Sequence, residues 1–281
     1  MKLLRYGPAG AEKPALFAND GTIRCLSSVV RDIDGFALSD AALKMIAALD
    51  PNTLPKGDAG VRLGSCVARP VNYICIGLNY ADHAAEAGMP VPKEPIIFLK
   101  SLGALCGPND DVKMPRGSKK LDWEVELGIV IGKKASYVPE HDSLNYVAGY
   151  CVCNDVSERE YQLERAGTWD KGKGCDTFGP TGPWVVTKDE VPDPQNLALS
   201  TEVNGKRFQN GTTKTMIFGV VKLVSYVSHF ITLYPGDVIA TGTPPGVGQG
   251  VKPEPVFLRP GDTMKLSVAG LGVQTQRVVE A

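Results

Sequence analysis

The stretch that most constrains the fold runs from residue 120 to 162. It begins KLDWEVELGIVIG and ends VAGYCVCNDVSEREYQ. Asp122, Glu124 and Glu126 alternate with Trp123, Val125, Leu127, Ile129 and Ile131. A period of two is that of a β-strand with one apolar and one acidic face. Side chains two residues apart on such a face stand about 6–7 Å apart at the backbone. Glu124 and Glu126 would repel each other there, and burial would drive one of them to protonate. One small cation between them removes the conflict. A second apolar run, residues 147–153, ends in Asn154 and Asp155 and can deliver a third carboxylate to the same place. Three carboxylate oxygens with water form a ligand set suited to Mg²⁺ or Mn²⁺. The competing reading is a solvated acidic face on a half-covered sheet. The aspartate closing a second apolar strand, followed at once by a polar segment, weighs toward a site.

Composition narrows the classes. The chain has 281 residues, 43% of them hydrophobic, enough for a sizeable core. Lys+Arg of 30 against Asp+Glu of 31 gives a net charge of -1, with no basic block to hold nucleic acid. The 31 glycines and 21 prolines suit many short strands joined by tight turns. MKLLRYGPAG has no apolar core of signal-peptide length, and no apolar run reaches the length of a membrane span. Cys75, Cys106, Cys151 and Cys153 lie within apolar runs, and the seven cysteines are an odd number. Buried free thiols in a reducing cytoplasm account for them.

Residues 1–70 read as a small separate region and 71–281 as the body of the protein. A hairpin is expected to turn at Asn19-Asp20-Gly21, and Ser39 to cap a helix. Residues 71–78 form an apolar strand, followed by NYADHAAEAGMPVP. There Asn79 can cap a short helix that places His83 and Glu86, three apart, on one face. A carboxylate beside an imidazole makes a plausible general base; a surface pair is the plain alternative. Residues 95–99 are another short strand, and Lys100 at its end is expected to snorkel to solvent. VSEREYQLERAG reads as a helix carrying Arg159 and Gln162, which could bind a substrate carboxylate or simply face water. TWDKGKGCDTFGPTGPW is too rich in glycine and proline for regular structure, and leaves the choice between Lys171 and Lys173 open. A hairpin turns at Asn204-Gly205, a helix spans 215–233, and TGTPPGVG lets a ligand approach backbone N–H groups near Gly242 and Thr243. Two strands joined at 270–272 close the chain.

Five motifs in this order, IGLNYADHAAE, DWEVELGIVIG, NDVSEREYQ, GKGCDTFGP and GDVIATGTPPGVG, resemble those of the fumarylacetoacetate hydrolase family over residues 71–281. The resemblance implies an α+β, mostly β fold, a mixed β-roll with a small N-terminal α/β region, assembled as homodimers. It places Mg²⁺ or Mn²⁺ on Glu124, Glu126 and Asp155. It makes His83, Glu86 and Lys173 catalytic, His83 and Glu86 lying on a lid helix, and gives Arg159, Gln162 and Thr243, with Gly242, substrate contacts. Many relatives read G-K-S-F-D-T-F where this chain has Gly174 and Cys175. The implied reaction is hydrolysis of the C3–C4 bond of a 2,4-diketo acid. The segment opening IGLNYADHAAEAGMPVP is similar to a subgroup acting on 2,4-diketo-3-deoxy sugar acids, such as the L-rhamnonate derivative, which would give pyruvate and lactate. Decarboxylation of oxaloacetate or another β-keto acid, and enol–keto isomerisation, are alternatives within the family. A non-catalytic keto-acid binding protein is the alternative outside it.

Overall fold

The strands that carry the acidic residues lie in the middle of the molecule. The structure is a computed structural model and describes residues 1–58, 60–86 and 88–281. In chain order its elements are β1 (Lys2–Tyr6), β2 (Lys13–Phe17), β3 (Ile23–Cys25), α1 (Asp40–Ala47), β4 (Tyr73–Gly77), α2 (Ala81–Glu86), β5 (Ile96–Leu99), β6 (Leu105–Cys106), β7 (Val112–Met114), β8 (Leu121–Asp122) and β9 (Val125–Ile131). There follow β10 (Val147–Asn154), β11 (Ser157–Glu158), α3 (Arg159–Leu163), α4 (Asp170–Lys173), β12 (Gly179–Thr187), β13 (Ala198–Val203), β14 (Lys206–Thr212), α5 (Val220–Ser228), β15 (Val238–Ala240), β16 (Thr263–Val268) and β17 (Gly272–Glu280). Among the described residues a ten-stranded mixed sheet runs β3-β2-β1-β12-β10-β9-β15-β4-β5, with β6 on β12. A five-stranded sheet runs β14-β13-β16-β17-β7, and β11 pairs with β8. This is the mostly β, α+β roll that the family resemblance implies.

β9 is buried along its whole length. Val125, Leu127, Ile129 and Ile131 join the core between the two large sheets, with Leu199, Met264 and Leu266 opposite. The other face of β9 is not solvated. Beyond Glu126 it carries Gly128 and Val130, and Val130 packs in a second core with Cys151, Cys153, Leu3, Leu38 and Ile46. The N-terminal strands extend the same sheet, because β1 pairs with β12 through Lys2 opposite Val186 and Leu3 opposite Val185.

Local sequence explains most elements. Ser39 caps α1 by accepting a hydrogen bond from the Ala42 N–H. Asn204 and Gly205 both take left-handed backbone angles, as the two-residue turn between β13 and β14 requires. Two expectations are corrected. The helix expected over 215–233 is confined to α5, because a separate single turn at Thr213–Thr215 precedes it and the chain leaves the helix at His229. The Gly/Pro-rich stretch after residue 168 is regular after all, forming α4 and β12. Pro183 is tolerated in β12 because the register of β12 with β10 shifts between Tyr150 and Val152, so the ladder is broken where it sits.

Buried Asp237 locks β15 to the entrance of β4. Its carboxylate accepts from the N–H groups of Val71, Asn72 and Tyr234, each at 2.8 Å, and from Asn72 Nδ2 at 2.7 Å. These two parallel strands lead into α2 and into Gly242. Asp237→Ala should therefore cost about 3 kcal/mol by orphaning these donors. Urea denaturation checks this as a lower midpoint with an unchanged slope.

Candidate active site

The site forms where β9 begins. The β9–β10 register sets Cys153 opposite Glu126, and the Asp155 N–H donates to the Glu124 carbonyl at 3.0 Å. Asp155 thus lies across from Glu124, while Glu126 stands two residues along on the same face. One carboxylate oxygen from each of the three lies within 4.8 Å of the others, and all three side chains are buried. The acidic run is interrupted at Trp123 and Glu124, so it is not one continuous strand. The reason is that side chains replace the ladder there. The Glu124 N–H donates to Asn154 Oδ1 at 3.2 Å and the Val125 N–H to Gln209 Oε1 at 3.0 Å.

Three cations meet the three acids. Lys173 Nζ donates to Glu124 Oε2 and Asp155 Oδ2, both at 2.8 Å. Arg159 Nη2 lies 2.7 Å from Glu124 Oε1. Lys100 Nζ lies 2.5 Å from Asp155 Oδ1 and donates to the carbonyls of Val156 at 3.1 Å and Lys173 at 2.6 Å. The expectation that Lys100 snorkels is overturned: β5 delivers it into the interior, where Asp155 compensates its charge.

The cations set the protonation of the acids. Burial alone would raise the Glu124 carboxyl, but the Lys173 ammonium and the Arg159 guanidinium outweigh it and hold it at about 2. Burial, with Asp155 and Glu124 close by, pushes Glu126 well above the usual carboxylate range. Burial opposes the charge on Lys173, yet Asp155 and Glu124 raise its pKa above the ordinary lysine value, so it is an ammonium at neutral pH. Arg159 is likewise held charged against burial by Asp122 and Glu124.

Above this cluster sits α2. His83 Nδ1 is 3.0 Å from Glu86 Oε2, so the expected pair is in contact. Glu86 also accepts from the Gly246 N–H, at 3.0 and 3.2 Å. His83, Glu86, Glu124, Glu126, Lys173 and Gln162 all line one cavity of about 300 Å³. His141 is exposed, and His229 is tied to the Ser225 carbonyl of its own helix. Lys171 is exposed and binds the Arg165 carbonyl, so Lys173 is the lysine of this loop that enters the site.

The expected substrate contacts divide. Gln162 Oε1 accepts from Arg159 Nη1 at 3.0 Å, which leaves its amide Nε2 to serve the cavity that Gln162 lines. The Arg159 guanidinium binds Asp122, Glu124 and Gln162, and Arg159 also lines the cavity, so it braces the cluster and keeps N–H groups that a ligand could use. The Gly242 N–H donates to Glu126 Oε2 at 2.8 Å and orients a carboxylate of the cluster. The Thr243 hydroxyl donates to the Val125 carbonyl at 2.9 Å and accepts from Gln209 Nε2 at 2.7 Å. Thr243 can therefore offer a ligand its backbone N–H, not its hydroxyl. Lys100, Asn154 and Gln209 were not singled out from sequence as site residues, yet each is buried and holds a part of the site.

The donor set fits a divalent ion. All three groups are hard oxygen ligands with oxygens that converge within 4.8 Å, and Glu126 is destabilised as a carboxylate without further positive charge.

Fold and site are those of an enzyme built on a mixed β-roll. The chain belongs to the fumarylacetoacetate hydrolase family: the family model described as fumarylacetoacetate (FAA) hydrolase C-terminal matches residues 72–279. A protein from Burkholderia orbicola named only as a hydrolase is 61% identical over 281 residues, covering 100% of both chains. Among solved structures, a protein assigned as HpcE from Mycobacterium smegmatis matches at a TM-score of 0.90 and 37% identity, covering 100% of both chains. A 5-carboxymethyl-2-hydroxymuconate delta-isomerase from Mycobacterium smegmatis matches at 0.79 and 34%, covering 100% of this chain and 99% of that one. Maleylpyruvate hydrolase from Sphingobium sp. SYK-6, solved with manganese(II) and pyruvate, matches at 0.82 and 28%, covering 100% of both.

Two outcomes are expected. Because Glu126 takes up a proton more readily than an ordinary carboxyl, a metal ion must displace that proton to bind. Mn²⁺ affinity should fall as pH falls through the range above the usual carboxylate pKa. Calorimetry in buffers of different ionisation enthalpy should show protons released. Lys100→Met, which leaves Asp155 short of its buried partner, should cost about 3–5 kcal/mol of stability, read from chemical denaturation.

Proposed function

We propose that the protein is a divalent-metal-dependent hydrolase that cleaves the C–C bond of 2,4-diketo acids of the acylpyruvate type, giving pyruvate and a second acid. The observation that carries this reading is the His83–Glu86 pair facing the Lys173-braced carboxylates across one cavity. A Mg²⁺ or Mn²⁺ ion held by Glu124, Glu126 and Asp155 would supply the Lewis acidity that lets pyruvate leave as its enolate.

The protein's own groups account for the proton movements. Glu86 accepts from Nδ1 of His83, so the neutral imidazole presents Nε2 as a base. His83 takes a proton from water as the hydroxide adds to the C4 carbonyl. The Lys173 ammonium and the Gln162 amide donate to the oxyanion that forms. The C3–C4 bond then breaks; the hydroxyl stays on the acyl carbon, and the proton passes from His83 to C3 of the enolate. Glu86 is held by Gly246 as well, so the imidazole is oriented before substrate arrives. A homodimer in a reducing cytoplasm belongs to the same proposal; seven free thiols suit that compartment.

A second reading, isomerisation, is favoured by the likeness to a solved isomerase, and needs the same base and no attacking water. Release of a second acid separates it from hydrolysis, and release of CO₂ would mark a decarboxylase. For the acyl half, a tail bearing hydroxyls, as in the sugar acids, would meet Leu78, Met89, Phe98, Leu163 and Trp169, which offer few partners for its hydroxyls.

His83→Ala should keep Mn²⁺ affinity within about threefold and lose hydrolysis by about 10²–10⁴-fold, the range of general-base assistance. Coupled detection of pyruvate from acetylpyruvate measures the rate, and calorimetry the affinity. Full turnover by the variant would remove His83 from water activation.

A further inference from the structure

One wall of the cavity is built by a residue that the chemistry does not use. Trp169 immediately precedes α4 and lines the cavity. Its indole meets Phe98 edge-on, with ring centroids 5.2 Å apart at 68°. The Lys173 ammonium lies 5.2 Å from the centre of that Phe98 ring. The back of the indole rests on Gly77. A Cβ at Gly77 would stand 2.5 Å from Cζ3 and 2.8 Å from Cη2 of Trp169. Gly77 lies in β4 with no left-handed backbone angle, so the space for the ring, not a turn, is what a side chain there would destroy.

The cavity lining is of two kinds. Glu124, Glu126, Lys173 and His83 are the groups a keto-acid head would meet. Trp169, Phe98, Leu78, Met89 and Leu163 supply apolar surface, and Gln249 and Lys252 complete the lining. Met89 and Leu163 are 48% and 55% exposed, leaving apolar surface at the mouth for a ligand to cover. An indole held by Phe98 and Gly77 offers a large rigid face at little entropic cost. Hydroxyls placed against it would lose water without gaining partners.

We propose that Trp169 is the specificity-determining residue for the acyl half of the substrate, and that this half is flat and apolar, an aryl or conjugated alkenyl group. This rests on the acylpyruvate reading for the head group, and its test does not need turnover. Binding of 2-oxo-4-phenylbutanoate and of pyruvate to the Mn²⁺-loaded full-length protein is compared by calorimetry. The two share a 2-oxo acid head, and neither has a C4 carbonyl to hydrolyse.

The wild-type protein should bind the phenyl ligand at least about tenfold more tightly than pyruvate. In Trp169→Ala that ratio should fall to about threefold or less. Gly77→Ala, which displaces the ring without removing it, should lower the ratio too, and Trp169→Phe should restore much of it. Trp169→Phe and Gly77→Ala also keep the test decisive if Trp169→Ala fails to fold. An unchanged ratio in the folded variants, no gain from the phenyl tail in the wild type, or tighter binding of a 2-oxo-3-deoxy acid with a hydroxylated tail would each overturn the proposal. Tail binding that depends on Trp169 in a protein that hydrolyses no acylpyruvate would overturn the reaction and leave this inference standing. Hydrolysis of acetylpyruvate with no tail discrimination would do the reverse.

Discussion

Three carboxylates taken out of water must be matched in place, and the rest of the structure is arranged around that need. Even a single buried carboxylate left uncompensated costs several kcal/mol and would take up a proton instead. Glu124, Glu126 and Asp155 come from two neighbouring strands, but their cations come from elsewhere: Lys100 from the end of β5, Arg159 from α3, and Lys173 from α4. Each cation is itself buried, so neither sign is tolerable without the other. The balance is uneven within the cluster. Glu124 is gripped by two cations and stays ionised, while Glu126, helped by the Gly242 N–H and the more distant Lys173 charge, is still pushed toward protonation by burial and its acidic neighbours. The least compensated carboxylate is thus the one that gains most from a bound dication.

The same region explains why the sheet is broken where it is. A continuous ladder through Trp123 and Glu124 would commit their N–H groups to a neighbouring strand. Instead the Asp122 carboxylate takes the Trp123 N–H, the Asn154 side chain takes the Glu124 N–H, and Gln209 reaches over from β14 to take the N–H of Val125, the first residue of β9. Gln209 also binds the Thr201 and Thr243 hydroxyls and the Pro244 carbonyl, so one buried amide joins the five-stranded sheet to the site. A polar group spent this fully is compatible with burial, since the desolvation of its amide is offset at both ends.

What could be read from sequence followed from short-range periodicity. The alternation at 122–131 and the i, i+3 spacing of His83 and Glu86 are local patterns, and both groups of residues meet in the structure. The solvated alternative for the acidic face failed because periodicity says which residues share a face, not what covers it; here the N-terminal segment and Cys151 and Cys153 cover it. Lys100 was misread for a related reason. IIFLK looks like a strand with its charge at the exit, and only the packing of Asp155 and the α4 backbone around that exit turns the lysine inward. Lys173 could be preferred to Lys171 only by family resemblance, since both flank Gly172. The resemblance gave Thr243 as a substrate contact, and the sequence could not show that its hydroxyl is taken by Val125 and Gln209, 118 and 34 residues away. The order in α4 and β12 escaped notice because glycine and proline content reports local propensity, whereas β12 is held by strands on both sides.

The segment after β15 ties the base to the carboxylate cluster. Its Gly242 N–H orients Glu126, its Gly246 N–H holds Glu86, and its Gly248 and Gln249 N–H groups bind Asp122, which in turn holds Arg159. Arg159 returns to Glu124, so the ring closes on the cluster where it began. Its glycines are required by space. A Cβ at Gly246 would fall 2.0 Å from the Phe208 carbonyl oxygen, and one at Gly250 would fall 2.6 Å from the Glu86 carboxyl carbon. Glu86 can therefore reach His83 and the loop at once only because the loop lacks side chains there. The placement of the base and the orientation of Glu126 rest on one stretch of backbone, so a shift of that stretch would disturb water activation and the carboxylate cluster together.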